Sequence, residues 1–333
     1  MKQNIKWLLI IVLLLIFLLV AVVISIAVGE VSFSLSDLLH VFQKSDDGDL
    51  KYAILTQIRL PRIILGIAVG GALSLSGAIL QGIYRNPLVE PYTLGISGGA
   101  ALGVSLVIIL GLQGIAGALV LPLAGFIGSL AVIFLVYVFS LRRGSIHTNS
   151  MLLTGVMISF IASSLMMLMM AVASNESLRG IIFWTMGSLD EPDMLLIKIT
   201  LVSSFAGLIF SYFFARDLNA LRLGEEKATH LGVNSAKAIR FLFIISSLLT
   251  GISVAVAGII GFVGLVIPHI MRLFTGNDYR ILLFSSFLGG ASFLILSDML
   301  ARTIIAPNEL PVGVITGIAG GLVFMVILRG MKR

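Results

Sequence analysis

Cysteine is absent from this 333-residue chain, so disulfides and thiolate metal sites are excluded. Charge is scarce as well: Asp, Glu, Lys and Arg make up 11% of residues, against about 25% in a soluble domain. Such a surface cannot mostly face water, which excludes an ordinary soluble globular protein. Only four histidines occur, His40, His147, His230 and His269, each expected in a loop or at a helix end. With neither thiolates nor an inward-facing imidazole cluster, nothing is available to ligate a bare metal ion.

What is present is apolar sequence, 58% of the chain, in runs near twenty residues. Such runs cross a hydrocarbon core about 30 Å thick. In lipid every backbone group must be paired internally, and the runs are continuous rather than alternating, so the reading is α-helical membrane protein and not β-barrel. Ten spans are expected, at 7–28, 62–83, 94–110, 115–140, 150–173, 194–214, 240–257, 259–271, 281–300 and 311–328. The first is too long for a signal-peptide core and is read as retained. The eighth is short, and 240–271 admits other divisions. With both termini inside, fifteen Lys/Arg fall on the cytoplasmic side and seven outside, while the acids divide five to eleven. That bias sets the orientation, and it explains the net charge of +6 better than nucleic-acid binding does.

Residues 29–61 form an external loop, with a short helix expected from Ser36 as N-cap and a solvated turn at Asp46-Asp47-Gly48-Asp49. Leu178 to Met186, in external segment 174–193, suits a re-entrant or interfacial helix. Gly71–Pro87 and Gly251–Pro268 both run from a small-residue helix into a proline-containing end, the kind of echo an inverted repeat leaves.

Ionisable groups are missing from span centres. Arg62, Lys198 and Asp298 fall near ends, and Gln81 is the most notable interior polar residue. A charge at mid-membrane costs at least about 2.5–3.5 kcal/mol, so ion-coupled carriers keep one only where it works. Energy for transport is therefore expected from a partner; an ion-gradient carrier is the competing class. Met157, Met166, Met167, Met169 and Met170 form a soft face that suits either a bulky ligand or plain helix packing. Gly95-Ile96-Ser97-Gly98-Gly99 matches the hydrolase nucleophile pattern, but Ser97 opens a membrane helix with no matched histidine. No catalytic residue is assigned.

The internal segment 215–239 reads as two short helices. Asp217 caps the first and Gly224 stops it; the second starts at Glu225-Glu226 and ends at Leu231-Gly232. Leu218, Leu221, Ala228 and Leu231 recur at helical spacing. The residues allow two readings equally, a knob that docks in a groove of a soluble partner or a connector lying on the membrane surface.

Several separated motifs resemble the FecCD/BtuC-type permeases, the membrane subunits of ATP-driven importers for ferric siderophores, cobalamin or haem. They are Arg59-Leu60-Pro61-Arg62, Ser76-Gly77 with Gln81, Arg85-Asn86-Pro87-Leu88, Leu94 to Gly99, Leu223-Gly224-Glu225 with Leu231-Gly232, Gly261 to His269, Asp298 to Arg302, and Glu309 to Gly313. The resemblance implies a type II ABC importer permease fold of about ten helices, one permease domain over 1–333, in the cytoplasmic membrane. Implied partners are an ABC ATPase dimer, an extracytoplasmic substrate-binding protein, a second permease copy or a related permease, and lipid. No cofactor is implied in this chain; ATP and Mg belong to the ATPase. Carried over by motif, Arg59, Arg62 and Arg302 would meet carboxylates of the binding protein, and Leu218, Leu221, Gly224, Glu225, Glu226, Ala228, Leu231 and Gly232 would grip the ATPase. Asn86, Pro87, Leu88, Thr148 and Asn149 would form the cytoplasmic constriction, beside pathway residues Met166 and Met170. An iron chelate, a ferric siderophore foremost, is the expected cargo.

Overall fold

The computed structural model describes residues 2–29, 31, 33, 50–114, 117–142, 145–146, 148–191 and 193–330. The helix expected from Ser36, the Asp46–Asp49 turn, His40 and His147 lie outside the described residues. The principal helices are α1 (Lys2–Ala27), α2 (Leu60–Tyr84), α3 (Ile96–Ile109), α4 (Val120–Ser140) and α5 (Thr148–Val172). They continue as α6 (Asn175–Met186), α7 (Met194–Phe213), α8 (Ala215–Leu221), α9 (Glu225–His230) and α10 (Ser235–Ala257). The last are α11 (Val263–Thr275), α12 (Tyr279–Thr303) and α13 (Val312–Gly330). Among the described residues, seven helices are long and apolar enough to cross a membrane. The shorter apolar helices Ile96–Ile109, Val263–Thr275 and Val312–Ile327 complete the ten expected runs. A two-residue hairpin, pairing Leu141 with Ile146 and Arg142 with Ser145, interrupts the helical pattern between α4 and α5.

The second span begins earlier than its hydropathy suggests. Leu50–Ala53 and a π-helical turn at Ile54–Arg59 run into α2, where Pro61 takes a first-turn position that needs no amide donor. Nearly all of α2 is buried, so it is the axis of the bundle, flanked by α12, α10, α7 and α11. Small residues make this possible. Gly70 faces Gly290 of α12 so closely that a Cβ on either would strike the other's carbonyl oxygen, and a Cβ on Gly77 would land on the Gly264 carbonyl of α11. Lipid tails are as apolar as leucine, so close backbone approach, rather than burial from water, holds such helices together.

The 240–271 stretch divides at 258–262. Gly258 and Phe262 both take positive φ, +69° and +68°, and the chain between α10 and α11 is not helical. Several of its backbone groups find partners on neighbouring segments. Tyr92 Oη donates to the Ile260 carbonyl at 2.9 Å and accepts from the Ile260 amide at 3.1 Å. Glu90 Oε1 accepts from the Phe262 amide at 3.1 Å, and the Ser188 amide donates to the Ala257 carbonyl at 2.9 Å. Non-helical backbone within a membrane bundle persists only with such partners. The repeat echo does not extend to local structure: Pro87 follows α2 in a turn, whereas Pro268 lies inside α11.

Candidate functional site

One end of the bundle gathers the three arginines singled out from sequence. Arg62 makes a bidentate bond to Glu309, Nη1 to Oε1 at 2.8 Å and Nη2 to Oε2 at 2.6 Å, with Asp190 at 3.6 Å. Arg302 pairs with Asp298 one helical turn away at 2.9 Å and donates to Ser25 Oγ at 3.0 Å. Arg59 donates to the carbonyls of Ile26 and Val31 and lies 4.6 Å from the centre of the Phe33 ring. All three border one cavity of about 190 Å³. Their residues are only 3–9% exposed, so their charge is spent chiefly inside this chain. Sequence reasoning placed the three together but missed Glu309, Asp298 and Asp190 as partners. Buried charge demands a counter-charge, and the acids in the quoted Asp298 and Glu309 motifs were the available signal.

The opposite end of α2 meets the two short helices. α8 starts at Ala215, so Asp217 sits in the first turn and is not the cap; the chain enters through Phe214. Gly224 has φ +112° and Gly232 φ +85°, conformations that L side chains rarely adopt. Leu218, Leu221 and Ala228 point into the bundle and are fully buried, whereas Leu223 and Leu231 are 58% and 65% exposed. The inward residues fix the knob, and the outward face is Leu223, Glu226, Lys227, His230 and Leu231. Asn219 anchors it further: its Nδ2 donates to Asp278 Oδ1 and its Oδ1 accepts from the Tyr279 amide, both at 2.9 Å. Side-chain hydrogen bonds from Arg280 hold the Asp278 carboxyl down at about 2.

Thr148 and Glu225, read from sequence as parts of different sites, meet directly. Thr148 Oγ1 donates to Glu225 Oε1 at 3.0 Å, joining the first residue of α5 to the first residue of α9. The Glu225 carbonyl also accepts from Thr229 and Ser235 hydroxyls at 2.9 and 3.1 Å. Asn149 is exposed. Asn86, Pro87 and Leu88 form a turn closed by the Leu88 amide donating to Asn86 Oδ1 at 2.9 Å.

The methionines do not share one surface. Met166 lines a cavity of about 250 Å³ with Tyr92, Ser97, Ser159, Ser163 and Ile259, so the unwound α10–α11 segment borders the same space. Met170 packs against Val104, Ile108 and Ile181, and Met157 and Met167 point outward. Among the described residues no histidine lines that cavity beside Ser97. His230 ends α9 as expected, but His269 lies within α11 and is buried, because the helix runs on to Thr275.

Among the described residues, a bundle of ten apolar helices, with an unwound segment at a cavity lined by the hydroxyls of Tyr92, Ser97, Ser159 and Ser163 and a bonded knob at one end, defines a multi-pass membrane protein. Residues 15–330 match the FecCD transport family, and the chain belongs to it as the permease of an ABC importer. It is 38% identical to the hemin transport system permease protein HmuU of Yersinia pestis, over 90% of each chain. It is 37% identical to the vitamin B12 import system permease protein BtuC of Shigella boydii serotype 18, over 100% of this chain and 97% of that one. A solved structure, described as an inward-facing conformation of an ABC transporter assigned to the metal-chelate type, superposes with a TM-score of 0.86 at 31% identity. That superposition covers 96% of this chain and 99% of the other.

Proposed function

We propose that this permease carries an iron chelate, a ferric siderophore foremost, inward across the cytoplasmic membrane. In this reading both termini and the α8–α9 knob are cytoplasmic, as the distribution of Lys and Arg favours. Two ATPase subunits bind the outward face of the knobs of a permease pair, and a substrate-binding protein delivers cargo at the Arg59, Arg62 and Arg302 end. Arg62 and Arg302 are held by acids of their own chain and Arg59 by backbone carbonyls, so docking at the first two exchanges or shares existing ion pairs, which sets register more than affinity.

The Thr148–Glu225 hydrogen bond carries this reading. It ties the knob to the helix that contributes Met166 to the polar cavity, so movement imposed on α9 is passed to a cavity wall. ATP and Mg act in the partner ATPase. The cargo is read as chelated because the chain has no cysteine and few histidines.

The test is reconstitution with the ATPase and binding protein in liposomes, supplying ferric siderophore, haem and cobalamin in turn. ATP-dependent uptake of the siderophore alone supports the assignment. Preference for haem or cobalamin would keep the importer and replace the cargo, the alternative that the named functions of HmuU and BtuC favour. Uptake without ATP that collapses with an uncoupler would favour the ion-gradient carrier.

A further inference from the structure

Beside the knob lies a cavity of about 420 Å³, of whose walls only Pro87 figures in the transport reading. Arg85, Arg222 and Arg272 converge on it from the ends of three helices, with His269, Tyr279 and Pro87 among its walls. No acid lines it. The neighbouring carboxylate, Asp278, is held by Arg280 and Asn219. Among the described residues none of the three arginines makes an ion pair.

Their orientation is built. Gln81 donates through Nε2 to the carbonyls of Gly264 and Leu265, at 3.2 and 3.3 Å, and its Oε1 accepts from Arg272 Nη1. Arg222 Nη1 donates to the Asn277 carbonyl at 2.7 Å. These bonds fix two guanidinium groups yet leave most of their five N–H donors free. His269, only 8% exposed, has its buried Nδ1 without a partner. Arg85 and Arg222 are exposed and Arg272 is partly buried, so three like charges line one open cleft, which concentrates counter-anions. At its wall the buried His269 Nδ1 has no partner among the described residues.

We infer that this cavity binds a phosphate-class oxyanion, either a lipid phosphodiester headgroup or a soluble phosphate. Phosphate presents several oxygens to guanidinium forks. A carboxylate offers two oxygens in one plane, whereas the tetrahedral oxygens of a phosphate group can meet guanidinium groups that arrive from three directions.

The experiment uses the full-length chain, purified and stripped of lipid. Radiolabelled inorganic phosphate is equilibrated with it in detergent, and phosphatidylglycerol retention is measured in parallel by native mass spectrometry. Retention of phosphatidylglycerol alone identifies a lipid headgroup; binding of free phosphate identifies a soluble ligand. In either arm Arg85→Gln and Arg222→Gln should each weaken binding about tenfold, the loss of one charged hydrogen bond. Arg216→Gln, an exposed arginine on α8 outside the cavity, should change nothing. Should the cavity variants fail to fold, competition on the unaltered chain decides: sulfate should displace the ligand and chloride at equal ionic strength should not. Retention of neither probe, equal loss in Arg216→Gln, or equal displacement by chloride overturns the inference.

Discussion

Thr148 Oγ1 stands 3.0 Å from Glu225 Oε1, and this bond joins α5 to α9. A hydrogen bond to a carboxylate contributes about 1.5–3 kcal/mol. Thr148→Val removes the donor with little change of shape, since valine is nearly isosteric with threonine. In the reconstituted importer, ATP hydrolysis should persist while cargo moved per ATP falls about tenfold. Equal loss of hydrolysis and uptake would mean that the bond supports assembly and not coupling.

Gly224 makes a related case at the turn between α8 and α9. At φ +112° a β-branched residue is strained, so Gly224→Val should tilt α9 and uncouple hydrolysis from uptake. Paired ATPase and uptake assays check this.

At the other end, Arg302 and Asp298 are both buried and bonded at 2.9 Å. Arg302→Ala strands the carboxylate and should destabilise the protein by about 3–5 kcal/mol. The double change Arg302→Met with Asp298→Leu should recover most of that. Denaturant unfolding in detergent measures both. Charge reversal at Arg302 therefore tests folding before it tests docking.

Close helix approach gives a third contrast. Gly77→Ala forces a Cβ onto the Gly264 backbone and should cost about 1–3 kcal/mol or more, whereas Gly317→Ala meets open space and should be neutral. Thermal unfolding of the two variants decides whether backbone contact holds α2 and α11 together.

Asp278 supplies a pH dependence. Its carboxyl, held near 2 chiefly by Arg280, has a folded value below the ordinary 3.8. The stabilisation it brings is therefore present above about pH 4 and is lost as pH falls through about 2. Below about pH 4 the unfolding midpoint should drop more steeply in the unaltered protein than in Asp278→Asn. Identical slopes would show that the carboxylate is not stabilised by its partners.

Much of the bundle was legible because lipid imposes length and apolarity on each span, and these show in sequence one run at a time. The break at 258–262 was legible only in part: apolarity alone put one residue between spans 240–257 and 259–271 and left other divisions open, because an unwound apolar segment has the same hydropathy as a helix. What did not show was pairing between distant segments. Nothing local in Glu309 announces Arg62, and nothing in Thr148 announces Glu225, since each bond joins residues far apart in the chain. Leu218, Leu221 and Ala228 were read as a helical apolar face, but periodicity could not tell an outward face from an inward one. The arginine cavity went unnoticed for the same reason: Arg85, Arg222 and Arg272 lie on three separate segments.

In the proposed mechanism, work enters through the knob. Proteoliposomes holding this permease, its ATPase and its binding protein should accumulate ferric siderophore only when ATP is supplied, and Thr148→Val should cut uptake while hydrolysis continues. Accumulation by the permease alone, driven by a proton or sodium gradient, would contradict it.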